Sequence, residues 1–311
     1  MALHQASGRW RLGLALSLST ALLWATLPLA LKLSLEQLDP ITLTWFRFLV
    51  ASVLTALWLA WRGQLGGYRG LAARHRGMLA VAALTLIGNY IFYLLGVRYT
   101  TPANAQLLIQ LAPLLMALGA IRVFGERFGP AQWAGLALLA AGLLVFFGDQ
   151  RRHATAAGYD LGSALVVLAA VVWATYALLQ KQLLMRLNAM QILLAIYIAA
   201  ALLLLPFARP STVLALDPLH AWLLAFCALN TVAAYGAFAE ALAHWEASRV
   251  SAILATTPLL CIAAVGIAHR LWPLAIPAER ISAMGYIGAA CVVLGSAAVS
   301  LLGARRARRD Q

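Results

Sequence analysis

The sequence predicts an all-α integral membrane protein with ten transmembrane helices, arranged as two five-helix repeats of inverted topology. Composition is the first observation, because 63% of the 311 residues are hydrophobic and only 11% are charged, whereas a soluble domain carries about 25% charged residues. Such a chain cannot cover itself with a charged surface, so most of its surroundings must be lipid. The other two observations are a series of long apolar runs and a motif that occurs once in each half of the chain.

The apolar runs are long enough to cross a membrane, which requires about 20 mainly apolar residues per helix. The connections are short, and the longest covers residues 62–77, so nothing is left over for a soluble domain. Arg9 and Arg11 precede the first run as in a signal peptide, but the run exceeds the roughly 7–15 apolar residues of such a peptide. The ten runs cover residues 12–32, 41–61, 78–97, 103–123, 130–148, 159–181, 190–207, 220–243, 249–268 and 282–303.

The distribution of Lys and Arg among the connections predicts that both termini are cytoplasmic. Alternate connections form two sets, and the set that includes both termini carries 15 of the 23 Lys and Arg, against 7 in the other set and Arg47 inside a run. Positive charge accumulates on the cytoplasmic side of membrane proteins. The net charge of +13 would suggest nucleic acid on a soluble protein, but here it reflects membrane orientation, and we expect no nucleic-acid partner.

One sequence motif occurs in both halves of the chain. "WAT" at 24–26 returns at 173–175, and Lys32 returns as Lys181, both 149 positions later. Three further matches follow in the same order, namely an Asn midway along runs 3 and 8, "LAPLL" and "TTPLL" in runs 4 and 9, and a Glu-Gly-Gly spacing of 9 and 7 residues. That last set is Glu126, Gly135 and Gly142 in the first half and Glu279, Gly288 and Gly295 in the second. The order predicts an internal duplication with repeats at 1–150 and 151–311.

Each repeat holds five runs, and because five is odd the second repeat must enter the membrane from the opposite side. Inverted repeats are typical of secondary transporters, in which the substrate binds near the membrane midplane between the repeats. Two near-equivalent halves of opposite orientation allow two near-mirror conformations, which open the site to either side in turn.

The chain also resembles a known family, the EamA-type transporters of the drug/metabolite transporter superfamily. The similar segments are "WAT" early in each half, "FRFLVA" (46–51), "LAPLL" (111–115) and "GERFGPAQWAGLALLAAGLLV" (125–145). Within the superfamily the chain looks closest to the bacterial exporters of aromatic amino acids. The resemblance implies a fold in which helices 1–4 and 6–9 surround a central cavity while helices 5 and 10 are peripheral. It also implies outward transport across a bacterial inner membrane, and we expect the protein to function as a monomer surrounded by lipid.

The strongest polar signal is Arg47, which lies about 9 Å into run 2 at roughly 1.5 Å per residue. A charge at the centre of a membrane helix costs about 2.5 kcal/mol or more, so Arg47 is expected to bind a ligand carboxylate, or else to bond backbone carbonyls or extend outward to the membrane surface. Trp24 and Trp173 lie at equivalent mid-membrane positions and could form two walls of one cavity or simply pack helices. Tyr176, Tyr197 and Tyr235 add aromatic surface.

Amide and phenol side chains at mid-depth need partners because lipid offers none. Gln106 and Gln110 are four residues apart, as are Asn89 and Tyr93, with Tyr90 beside them. For Asn89 and Asn230, bonding between helices is as plausible as substrate contact. The candidate substrate-binding residues are Trp24, Arg47, Asn89, Tyr90, Tyr93, Gln106, Gln110, Trp173, Tyr176 and Asn230.

These residues favour a zwitterion with a flat apolar side chain, that is, Phe, Tyr or Trp. The alternatives are other metabolites or drugs on the same fold, or a lipid flippase or scramblase. Enzyme motifs such as GxSxG and HExxH are absent from the sequence, and the three Cys show no metal-ligand spacing, so we expect no enzymatic activity, cofactor or metal. Glu240, inside run 8, is either a proton-coupling site or simply the partner of Arg249 or of a loop.

Overall fold

A computed structural model describes residues 9–68, 70–124, 128–153, 158–245 and 247–307. Within these residues the regular secondary structure is helical throughout, with short 3-10 turns at Leu65–Tyr68 and Leu205–Phe207. The α-helices are α1 (Trp10–Ser34), α2 (Pro40–Trp61), α3 (Ala73–Tyr99), α4 (Pro102–Leu108), α5 (Leu111–Phe124), α6 (Pro130–His153), α7 (Tyr159–Leu183), α8 (Ala189–Leu204), α9 (Pro210–Leu214), α10 (Pro218–His244), α11 (Ala247–Leu254), α12 (Thr257–Leu271) and α13 (Ala283–Ala307).

The ten predicted runs correspond to ten helical spans. Among the described residues, nine spans are long and apolar enough to cross a membrane, and the tenth, in α13, has a shorter apolar part at Ala283–Val299. The fourth span, Pro102–Val123, consists of α4 and α5 together, and the ninth, Arg249–Leu271, consists mainly of α11 and α12. The predicted all-α membrane fold is therefore confirmed.

Polar side chains immediately before several spans explain where these helices begin. Asp39 precedes Pro40, and its Oδ1 accepts hydrogen bonds from the Ile41 and Thr42 N–H groups at 2.9 and 3.0 Å. At the equivalent start of α8, Asn188 and Gln191 form a reciprocal capping box. These side chains satisfy N–H groups that have no partner inside the helix, and a proline such as Pro40 at the first helical position loses no bond.

The helix packing has the symmetry that an inverted duplication requires. Exchanging the two halves converts the packing of α1 against α10 into the packing of α7 against α3, and both contacts are extensive. The other two large interfaces, α2 with α8 and α6 with α13, each join equivalent spans of the two halves. The helices α6 and α13 pack chiefly on each other, at the periphery, which is where the family resemblance places helices 5 and 10.

Spans 4 and 9 are both broken, and a proline follows each break. The helix stops at Ile109–Gln110 before Pro113 and at Ala255–Thr256 before Pro258. A proline cannot bond the carbonyl four residues earlier. That carbonyl instead accepts from the Ala112 N–H at 2.9 Å in span 4 and from the Thr257 hydroxyl at 2.6 Å in span 9. By contrast, α1 runs unbroken through Pro28. Transporters form their binding sites at such breaks.

Candidate substrate-binding site

Arg47 projects from α2 into the contact between the two halves. The side chain is buried, with 3% of its surface exposed, and its Nε donates to the Thr231 hydroxyl of α10 at 3.2 Å. The guanidinium carbon lies 4.8 Å from the centroid of the Tyr90 ring of α3. Within the described part of the chain, the two terminal nitrogens have no hydrogen-bond partner. They are therefore available to a ligand.

Among the residues that the structure describes, the charge of Arg47 lacks a compensating carboxylate. The ion pairs between described residues lie at other positions and do not involve Arg47. A face-on aromatic ring attracts a desolvated cation by about 2 kcal/mol, which offsets only part of the cost of a buried charge. A carboxylate brought by a ligand would supply the missing charge, in the paired geometry that a guanidinium favours.

Aromatic side chains surround Arg47 on several helices. The Phe48 ring lies 4.5 Å from that of Tyr90 and 5.6 Å from that of Tyr197, centroid to centroid. Tyr176 belongs to the same buried cluster, and Tyr235 interacts with the Tyr90 hydroxyl. The residues of the cluster come from α2, α3, α7, α8 and α10. Both halves of the chain therefore contribute to it.

The two mid-membrane tryptophans border this cluster from different sides. Trp24 of α1 is partly buried, and its ring meets Tyr235 edge-on with the centroids 5.6 Å apart. Its other aromatic neighbour is Phe238, at 5.9 Å. Trp173 of α7 is also partly buried and meets Tyr176 edge-on at 6.5 Å. The duplicated tryptophans thus contact aromatic residues of the same region from two different helices, α1 and α7.

Tyr93 and Gln106 connect this cluster to the broken span. The Tyr93 hydroxyl donates to Gln106 Oε1 at 3.1 Å, and the ring lies within electrostatic reach of Arg47. Gln106 is in α4, and the partly buried Gln110 lies in the break between α4 and α5. Gln106 therefore links span 4 to Tyr93, whereas Gln110 is placed in the break without a described contact to the aromatic cluster.

Asn89 and Asn230 each tie together two helices of different halves. Asn89 Nδ2 donates to the Ala169 carbonyl of α7 at 2.9 Å, and Asn230 Nδ2 donates to the Leu23 carbonyl of α1 at 2.8 Å. These contacts fit the helix-bonding alternative that the sequence left open. Asn230 Oδ1, however, is buried without a partner, so this oxygen could still accept a bond from a ligand.

The structure adds three residues whose role the sequence did not indicate. Thr231, Phe48 and Phe238 contact Arg47, Tyr90 and Trp24 respectively. Tyr197 and Tyr235, which the sequence indicated only as extra aromatic surface, lie at the centre of the cluster. The available signal was an aromatic residue midway along run 7 and another along run 8, but such a residue does not show which helix face turns inward.

Glu240 lies at the surface rather than among these residues. Its side chain is 62% exposed and contacts His244 Nε2 at 3.0 Å. This exposure fits a partner role at the surface, but the observed partner is His244, one turn along the same helix, rather than the expected Arg249 or loop.

Comparison with known proteins supports the duplication and the membrane fold. The sequence profile of the EamA-like transporter family matches residues 11–148 and, a second time, residues 160–301. The "Uncharacterized inner membrane transporter YhbE" of Escherichia coli is 35% identical over 288 residues, which cover 92% of this chain and 90% of that protein. The "Aromatic amino acid exporter YddG" of Ancylobacter novellus is 28% identical over 177 residues, covering 52% of this chain and 55% of the exporter.

A solved structure shows the same architecture along nearly the whole chain. A crystal structure of a protein that is 24% identical in sequence superposes with a TM-score of 0.63 and covers 97% of this chain and 99% of its own. This similarity concerns the fold alone. Because the family profile matches both halves and spans most of the sequence, the chain belongs to the EamA-like transporter family.

Proposed function

We propose that this protein exports aromatic amino acids (Phe, Tyr and Trp) across the inner membrane by alternating access. The observation that carries the proposal is the buried, uncompensated Arg47 within a cluster of tyrosine and phenylalanine rings. Arg47 takes the substrate carboxylate through its two unpaired nitrogens. The aromatic rings stack on the substrate ring, each contact contributing about 0.5–1.5 kcal/mol beyond burial.

The substrate ammonium needs oxygen acceptors at the same depth. Within the described part of the chain, Asn230 Oδ1 and Thr44 Oγ1 are buried and lack partners, and spans 4 and 9 each contain a break in the helical backbone. Unwound backbone and unpaired side-chain oxygens bind cationic groups in transporters of this architecture. Neutral oxygen acceptors suit the ammonium group of an amino acid, because the substrate's own carboxylate balances its charge. A dication without a carboxylate would instead require a buried acidic residue.

The proposal includes a role for the two repeats and an orientation of the chain in the membrane. Residues 1–150 and 151–311 act as two units that exchange conformations, with both termini in the cytoplasm, as the Lys and Arg distribution predicts. The named inner-membrane relative in E. coli supports the location, and the exporter from A. novellus supports the substrate class and the outward direction. We expect a monomer to be the transporting unit, since both halves contribute to the site.

The test is counterflow into liposomes that contain only the purified protein. Vesicles loaded with unlabelled Phe should take up labelled Phe, Tyr and Trp, whereas labelled Ala, a polyamine and a phospholipid analogue should not accumulate or cross. Movement of the aliphatic or dicationic solutes without the aromatic ones would refute the substrate assignment. Passage of the phospholipid analogue would favour the flippase alternative.

A further inference from the structure

A carboxylate outside the substrate site holds the beginning of span 4. Glu279 lies in the connection between α12 and α13, residues 272–282. Its Oε1 accepts a hydrogen bond from the Ala103 N–H at 3.4 Å, and the Thr101 hydroxyl bonds the same carboxylate. Because Thr101 and Ala103 begin α4, Glu279 fixes the end of the broken helix that carries Gln106 and Gln110.

A cation holds the same turn from its other side. Lys32, in the last turn of α1, donates through Nζ to the carbonyls of Val97 at 2.8 Å, Arg98 at 2.7 Å and Thr100 at 2.8 Å. These carbonyls end α3, and the turn at Thr100–Thr101 joins α3 to α4. Lys32 and Glu279 attract each other across this turn. Spans 1, 3 and 4 and the α12–α13 connection are thereby tied together.

Glu279 has an unused binding position for a proton. Its Oε2 is buried and lacks a hydrogen-bond partner. Burial raises the pKa of the Glu279 carboxyl to about 7, although the bonds from Ala103 and Thr101 and the charge of Lys32 act in the opposite direction. With this raised pKa, the carboxyl is charged above about pH 7 and gains a proton as the pH falls below it. Burial of an unpaired oxygen and an adjoining cation therefore place its titration near neutrality.

Other groups around the carboxylate do not share this combination of burial and contact with α4. Tyr159 of α7 and Cys261 of α12 interact electrostatically with Glu279, and both are neutral near pH 7. Arg98 and Glu36 act on Lys32 with opposite signs, and Arg280 follows Glu279 in the chain with an exposed side chain. Glu279 is therefore the group whose charge can change near neutral pH while it bonds the α3–α4 turn.

We propose that Lys32 and Glu279 together form a gate at this side of the substrate site, and that the gate opens when Glu279 takes up a proton. The ionised carboxylate holds α4 closed against α1 and α3. A proton from the solvent on this side binds Oε2, removes the attraction to Lys32, weakens the bond from Ala103 and lets α4 move. When the proton dissociates again into the same solvent, the carboxylate is ionised and the gate closes. The gate does not depend on the identity of the substrate.

The duplication supplies a counterpart for the opposite side. Lys181 repeats Lys32, and Glu126 repeats Glu279, in the connection that precedes span 5. Glu126 lies outside the described residues, and the proposed gate consists of Lys32 and Glu279 alone.

The gate is tested by labelling a cysteine that it covers. The labelled variant is Gln106→Cys, one helical turn after Ala103, in a protein whose Cys227, Cys261 and Cys291 are replaced by Ala. It is reacted with a membrane-impermeant maleimide in right-side-out vesicles. Leu214→Cys, which replaces a residue that is 90% exposed, provides the intrinsic pH dependence of the thiol reaction. The normalised rate should rise about tenfold from pH 8 to pH 6, as expected for a group with a pKa near 7.

The same measurement in Glu279→Gln decides the role of the carboxyl. This neutral variant should label quickly at both pH values, while Asp160→Asn, which removes an exposed acid paired with Arg151, should retain the tenfold rise. A pH-independent rate in the parent, or an unchanged rise in Glu279→Gln, would overturn the gate. Labelling needs no substrate, so a failure of aromatic amino-acid counterflow would refute the proposed function without affecting this result.

Discussion

Gly142 of α6 and Gly288 of α13 meet so closely that a β-carbon on Gly142 would lie 2.7 Å from the Gly288 carbonyl oxygen. Seven residues away along each helix, a β-carbon on Gly135 would lie 3.0 Å from the Gly295 carbonyl oxygen. The earlier glycine of α6 faces the later glycine of α13, so the two helices cross antiparallel about a local two-fold axis. The duplicated glycine spacing therefore has a structural cause, since both helices need small residues at the same contact.

Replacing one of these glycines should destabilise the protein. Gly142→Ala places a methyl group against backbone atoms of α13, which cannot rotate away, and such overpacking costs about 1–3 kcal/mol. The apparent melting temperature in detergent should fall by several degrees. Gly148→Ala is the matched control, because that glycine lies in the same helix with nothing within 4 Å of the added carbon. A larger fall for Gly148→Ala than for Gly142→Ala would contradict the close-contact interpretation.

The orientation of the chain should be visible by labelling from the two sides. Gly66→Cys, in the connection between α2 and α3, should react with an impermeant maleimide only from the cytoplasmic side. Leu214→Cys, between α8 and α10, should react only from the opposite side. Both positions are exposed, and a cysteine at Gly66 would meet nothing within 4 Å. Reaction of both from one side would refute the predicted topology.

The sequence was sufficient to predict the helices because each span must satisfy its backbone in lipid, and apolar runs of the required length leave little choice. The duplication was sufficient to predict which spans are equivalent. What the sequence could not show is which face of a nearly uniform apolar helix turns inward. In soluble helices polar residues reveal the outer face, whereas here lipid and protein both accept Leu, Ala and Val.

Particular residues illustrate this limit. Arg47 was identifiable because a charge cannot face lipid cheaply. Tyr197 lies beside Phe48 in the cluster, but its sequence context does not distinguish it from an aromatic that packs outward. Glu279 falls outside the apolar runs and looks like a loop residue in the sequence. Only the three-dimensional structure brings it to Ala103, 176 positions away in the chain.

Removing the amide of Asn89 should affect stability more than substrate affinity. Its Nδ2 bonds the Ala169 carbonyl in the neighbouring repeat, and interhelical bonds of this kind contribute about 0.6–1.7 kcal/mol in membranes. Asn89→Ala should therefore lower the melting temperature while leaving the KM for Phe within about twofold, a change worth only about 0.4 kcal/mol. Asn230→Ala should lower both stability and affinity, because Asn230 Oδ1 is unpaired. A tenfold increase in KM for Asn89→Ala at unchanged stability would instead indicate substrate contact.

The ring of Tyr90, rather than its hydroxyl, should matter for transport. The ring supports the Arg47 guanidinium at 4.8 Å, and a cation over a desolvated ring gains about 2 kcal/mol. Tyr90→Phe keeps that ring and should raise the KM for Phe by less than about threefold, whereas Tyr90→Leu should raise it about tenfold or more. Tyr286→Leu, at a residue 51% exposed on α13, serves as the control. Equal effects of the Phe and Leu substitutions would assign the role to the hydroxyl.

Arg47 should be essential for transport yet unfavourable for stability. Arg47→Ala removes two charge-assisted hydrogen bonds to the substrate carboxylate, worth about 1.5–3 kcal/mol each, so affinity should fall about a hundredfold or more. Arg47→Lys should restore only part of it, because an ammonium lacks the planar paired donors. Removing an uncompensated buried charge should leave the melting temperature unchanged or raise it. A structural Arg47 would give the opposite pattern, a destabilised Ala variant that still transports Phe, and counterflow measured beside thermal unfolding tells the two apart.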